Sequence, residues 1–149
     1  MSENFLGYPE TSLNLGVIRS TAEKIQITFS LRSFSDASRD SLLNTLAESC
    51  LKYNGNYSTH GQYPAWPFKK NSHLCDVMTA CYEKMFKKAP IVCPIHAGLE
   101  CGVLSSKIDD LDCISIGPDL FDIHTPREKM SISSAKRTWE FLLEVLKNI

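Results

Sequence analysis

Ile25, Ile27, Phe29 and Leu31 alternate without a break with Gln26, Thr28, Ser30 and Arg32. A period of two suits a strand with one buried and one wet face, and little else. Upstream, Leu13, Leu15 and Val17 alternate with Asn14 and Gly16, and the polar stretch "RSTAEK" separates the two runs. The pair predicts an antiparallel hairpin with Arg32 on its wet face. The period then changes. Leu42, Leu43, Leu46, Ala47, Cys50 and Leu51 share one helical stripe that stops at Asn54-Gly55, and a short strand is expected around Asn56 to His60.

The stretch "GQYPAWPF" breaks both periods with two prolines, so a lobe boundary is expected near Gly61 to Phe68. Beyond it, Leu74, Val77, Met78, Cys81, Tyr82, Met85 and Phe86 follow a capping Ser72 at helical spacing and end in lysines before Pro90. "IVCPI" and "CISI" are short apolar runs of the kind found as strands buried on both faces of a parallel or mixed sheet. A last helix is predicted to turn Ala135, Trp139, Leu142, Leu143 and Leu146 inward. The expected fold class is therefore α/β, or α+β overall. The first lobe shows only part of the β-α-β-β-α-β order of a ferredoxin-like sandwich, whose opening strand and helix are missing.

Composition narrows the function classes. Hydrophobic residues make up 43% of the 149 and charged ones 22%, as in folded globular chains, and no apolar run reaches the length of a membrane span. A formal charge of -1 gives no electrostatic footprint for nucleic acid or anionic lipid. Expected partners are small molecules or protein. The opening "MSENFLGYPE" has neither a basic nor an apolar leader region, so a cytoplasmic location is expected, with the six cysteines reduced.

Two histidines occupy the loop positions where α/β folds place their sites. His96 ends the first apolar run, inside "HAGLECG", and His124 follows the second, inside "GPDLFDIHTPRE". His60 and His73 read as surface or core residues. Asp119, Asp122 and Glu128 surround His124, so a metal-bound imidazole there has carboxylates at hand to orient its second N–H; a histidine closing a Pro-flanked turn is the other reading. Three readings of "HAGLECG" stay open: a zinc site from Cys93, His96 and Cys101, a nucleophilic Cys101, and a glycine loop in which backbone N–H groups and Glu100 touch a substrate. The third suits the spacing best. Tyr63 and Trp66 read as packing at the lobe junction or as an aromatic recognition surface.

"TSLNLGVI", "LRS", "GQYPAWPF", "IHAGLECG", "DCISIGP" and "HTPREKMSI" come in an order and spacing that resemble the C-terminal part of bacterial aminoacyl-histidine (Xaa-His) dipeptidases, cytosolic zinc metallopeptidases. The resemblance implies the second half of a lid domain over residues 1–63, a partial ferredoxin-like unit, and the C-terminal α/β segment of a catalytic domain over 64–149. It implies His124 as a metal ligand, and Glu100, Gly102 and Arg32 as substrate-binding residues, Arg32 gripping the carboxylate of a small dipeptide. No residue of this chain is assigned as catalytic. The family's H-x-D motif, bridging aspartate and glutamate pair have no counterpart here, so of the ligands to two zinc ions at most one is expected, and the chain alone is expected to be inactive. A homo-oligomer, or a partner carrying the missing N-terminal half, follows from the half-lid. Two readings of other classes stand beside this one: a self-association module without chemistry, and a structural-zinc or thiol protein built on Cys93, His96 and Cys101.

Overall fold

The computed structural model describes residues 7–95 and 99–149. In chain order the elements are β1 (Thr11–Ser20), β2 (Ile25–Ser33), α1 (Asp36–Lys52), α2 (His73–Phe86), α3 (Glu100–Ser105), β3 (Leu120–Phe121), β4 (Lys129–Met130) and α4 (Ile132–Leu146). They form a mixed α/β chain that divides into two units. One runs up to Phe68 and includes Cys93–Asp109; the other is Lys69–Val92 with Asp110–Ile149. Among the described residues, no helix is long and apolar enough to cross a membrane.

In the first unit β1 and β2 form the expected hairpin, pairing Leu13 with Leu31, Leu15 with Phe29 and Ile18 with Ile27. A bulge between Leu15 and Val17 shifts the register by one residue, so Ile18 rather than Val17 joins the apolar ladder of Leu13 and Leu15. The turn closes through Thr21, whose N–H donates to the Lys24 carbonyl at 2.9 Å and whose hydroxyl accepts from the Glu23 and Lys24 amides. Helix α1 starts where the Ser35 hydroxyl accepts from the Ser38 amide. Its half-buried stripe holds the predicted Leu42, Leu43, Leu46 and Cys50, with Ala47 buried, whereas Leu51, expected on the same stripe, lies in the last turn and is exposed. It ends at the predicted place. Asn54 takes the left-handed conformation, and at Gly55 a Cβ would stand 2.7 Å from the Cys50 sulfur.

The strand expected over Asn56–His60 does not form. That stretch offers Tyr57 as its one large apolar side chain, 56% exposed, so there is no apolar face to bury. "IVCPI" and "CISI" are not strands either. A central strand needs ladder neighbours along its edges and layers packed on its two faces, whereas the described residues hold two sheets of two strands each. Ile91 is accordingly 91% exposed.

The second unit is organised by α2 against α4. Ser72 caps α2 by accepting from the Cys75 amide at 2.9 Å, and Lys87 closes it in a left-handed turn. Cys81, Phe141 and Val145 form the buried centre, with Leu74, Val77, Met78, Tyr82, Met85 and Phe86 packed around it. The Tyr82 and Phe141 rings meet edge to face at 5.6 Å. Across the same pair of helices Lys84 Nζ lies 2.7 Å from Glu144 Oε1. This hydrogen-bonded charge pairing raises the Lys84 pKa and lowers that of Glu144.

The inward face of α4 is not the predicted one. Ser134, Phe141 and Val145 are buried, while Trp139 and Leu146 are about 60% exposed. Two adjoining stripes of this helix are apolar, and a period of 3.6 does not choose between them; the ring of Phe141 does, by fitting against Tyr82 and Phe86.

Candidate functional site

The residues singled out in the sequence fall in both units. In the first, Arg32 stands one residue from the end of β2, opposite Ser12 and exposed; the face of β2 expected to be buried is exposed as well, at Ile25, Ile27 and Phe29, because no layer among the described residues covers it. With Ser33, Phe34, Tyr63, Trp66 and Ile95 it borders a shallow surface recess open to solvent. Two residues the sequence did not single out hold the far wall. Asp36 Oδ1 accepts from the Ala65 amide at 3.0 Å, and Arg39, ion-paired with Asp36, donates to the Tyr63 carbonyl at 3.2 Å. The Pro-containing segment is thereby tied to the first turn of α1. An acidic N-terminal turn followed by a basic residue three positions on was the available signal, but its target lies 29 residues away in sequence.

"HAGLECG" is in part a helix rather than a loop. Residues Glu100 to Gly102 form the first turn of α3, with Glu100 exposed and Gly102 buried. Its lack of a side chain is used for packing: a Cβ at Gly102 would come within 3.0 Å of the Pro64 carbonyl oxygen and 3.4 Å of Trp66 Cβ. Cys101 is half-buried and Cys93 exposed. His96 lies outside the described residues.

In the second unit, β3 and β4 pair Leu120 with Met130 and Phe121 with Lys129, and residues 122–128 cross between them. His124 sits near the tip, exposed, with φ +65°, and Asp122 two residues earlier has φ +52°. For a residue with a Cβ the left-handed region costs roughly 1–2 kcal/mol, so something must hold the chain there. Thr125 donates its hydroxyl to the Asp122 carbonyl at 2.7 Å, and Glu128 Oε2 accepts from the His124 amide at 2.8 Å. Of the three carboxylates expected to orient the imidazole, Glu128 instead binds the main chain of His124. Asp122 lies 4.0 Å from Lys129, and Asp119 pairs with Arg137 at 3.5 Å. No hydrogen bond to the imidazole is found among the described residues. His60 and His73 are exposed. No group of three His, Cys, Asp or Glu side chains gathers to hold a metal among the described residues.

Comparison with known proteins meets this geometry. No family model matches the chain. It is 34% identical over 143 residues to the cytosol non-specific dipeptidase of Escherichia coli, covering 96% of this chain. Its fold superposes with a TM-score of 0.87, at 30% identity and over the full chain, on an aminoacylhistidine dipeptidase from Vibrio alginolyticus. The chain matches part of an aminoacyl-histidine dipeptidase. It spans 30% of the length of both dipeptidases. The aminopeptidase PepT of Bacillus cereus shares the fold at 18% identity, with a TM-score of 0.73. A partial dipeptidase fold accounts for two-stranded sheets and for apolar runs that find no strand neighbours among the described residues. The relatives are peptidases, so hydrolysis is the chemistry of the proteins this chain resembles.

Proposed function

We propose that this chain supplies the C-terminal part of a cytoplasmic, zinc-dependent dipeptidase that hydrolyses small Xaa-His dipeptides, and that it is inactive alone. The observation that carries the reading is the match along the whole chain to an aminoacylhistidine dipeptidase at a TM-score of 0.87. Residues 1–63 would then be the second half of a lid and 64–149 the end of a catalytic domain.

In this reading His124 contributes one imidazole nitrogen to a metal. The donor set fits in part. An exposed imidazole on a fixed loop is a good zinc donor, while the described residues gather no group of three donors; the other bonds to two zinc ions would come from outside this chain. When bound, zinc supplies a Lewis acid for the peptide carbonyl and an activated water. Arg32 binds the substrate carboxylate through a charge-assisted pair. Glu100 meets the ligand from the first turn of α3, and Gly102 lets that turn lie against Pro64.

A chimera in which this chain replaces the matched segment of the E. coli dipeptidase tests the proposal. It should hydrolyse an Xaa-His dipeptide, and His124→Ala should sharply lower kcat, as loss of a metal ligand weakens hold on the ion that activates water. The isolated chain should show no hydrolysis. A chimera indifferent to His124→Ala, or hydrolysis by the chain unaided, would sink the reading. The exposed apolar ladder of the hairpin favours a second role, self-association, which does not require chemistry.

A further inference from the structure

We infer that Glu128 is a positioning residue for His124: its carboxylate holds the histidine main chain in the left-handed conformation that leaves the imidazole exposed and unengaged for a divalent metal. The inference rests on the reading of His124 as a metal ligand, and the test below separates the two.

Two observations carry it. The first is the backbone. His124 has φ +65°, a left-handed conformation that is unfavourable for a residue with a Cβ, so a contact must hold it there. The second is the hydrogen bond that compensates. Glu128 immediately precedes β4 and is anchored there, its own amide donating to the Thr125 carbonyl at 3.0 Å. From that fixed base its side chain reaches back four residues and accepts from the His124 amide at 2.8 Å. The loop's own carboxylate thus satisfies the main chain, and neither imidazole nitrogen is needed to hold the turn. Outer groups that orient a metal ligand commonly change affinity by about tenfold or more when removed.

The experiment is NMR on the full chain, comparing wild type with Glu128→Ala, Glu128→Gln and His124→Ala. Exchange of the His124 amide reports the hydrogen bond, and a titration with Zn²⁺ alone, followed at the imidazole C–H signals, reports affinity. Glu128→Ala should speed exchange of that amide and weaken Zn²⁺ binding about tenfold, without lowering the melting temperature of either unit by more than a few degrees. Glu128→Gln keeps an acceptor oxygen and should restore slow exchange and most of the affinity. Affinity unchanged in Glu128→Ala, while His124→Ala abolishes binding, overturns the positioning role. Equal binding by wild type and His124→Ala overturns the ligand reading instead. In that case slow amide exchange that survives Glu128→Ala would still refute the hydrogen bond.

Discussion

Asp112 accepts the Ser72 hydroxyl at 2.6 Å through one oxygen and the Leu74 amide at 3.0 Å through the other. Ser72 in turn accepts from the Cys75 amide, so a loop carboxylate 40 residues downstream completes the cap of α2. Burial opposes ionisation of Asp112 most strongly, but the Leu74 amide, the Ser72 hydroxyl, the Lys69 ammonium and the His73 amide together outweigh it and hold the carboxyl below its ordinary 3.8. The sign of the linkage follows. A carboxyl with a lowered folded pKa contributes its full stabilisation above 3.8 and loses it as pH falls through the folded value. Asp112→Asn should therefore destabilise the second unit by about 1–2 kcal/mol at pH 7 and flatten its stability profile at acid pH. Denaturant melts from pH 7 to 2 check this; an unchanged acid limb would show that Asp112 is not the group responsible. In the sequence Ser72 was legible as a cap because its mechanism is local. Asp112 was not, because only the fold brings it there.

At the level of elements, legibility divides in the same way. The hairpin and the two long helices preceding α3 carry their own information: alternation, helical stripes, a capping serine at Ser72, and stop signals at Asn54-Gly55 and in the lysines before Pro90. "IVCPI" and "CISI" do not, since an apolar run becomes a strand only when neighbours pair with it. Helix α4 is the intermediate case, present as expected and rotated by about one residue in face. That rotation has a measurable consequence. Phe141, 8% exposed, should cost about 3 kcal/mol when replaced by alanine, whereas Trp139→Ala, at 59% exposure, should cost under about 1 kcal/mol despite the larger side chain. Urea unfolding of the two variants distinguishes the faces. Equal losses would mean that the outer stripe of α4 is covered in solution.

For the molecule as a whole, the surroundings of the candidate residues were legible where they lie in short loops and not where they depend on distant chain. His124 and its acidic neighbours stood out, yet the sequence could not say that Glu128 would take the amide rather than the imidazole. Arg32 stood out by alternation, whereas Asp36 and Arg39, which tie down the wall beside it, did not.

The same hairpin that presents Arg32 exposes an apolar ladder. Ile18 and Ile27 face each other across it at 56% and 48% exposure, and Ile25 reaches 69%. A two-stranded ribbon is marginal in water, and this one packs against α1 while its ladder remains open to solvent. Burying such a face against a second copy would remove several hundred Å² of apolar surface from water, at roughly 25 cal/mol per Å². The chain should therefore run as a dimer or larger by light scattering at micromolar concentration. Ile18→Glu with Ile27→Glu should shift it toward the 16.7 kDa of one chain, because facing carboxylates cannot be buried together. A wild-type monomer would exclude this face as a self-association surface. A dimer unmoved by the substitutions would place the contact elsewhere, with the outer stripe of α4 the next to test.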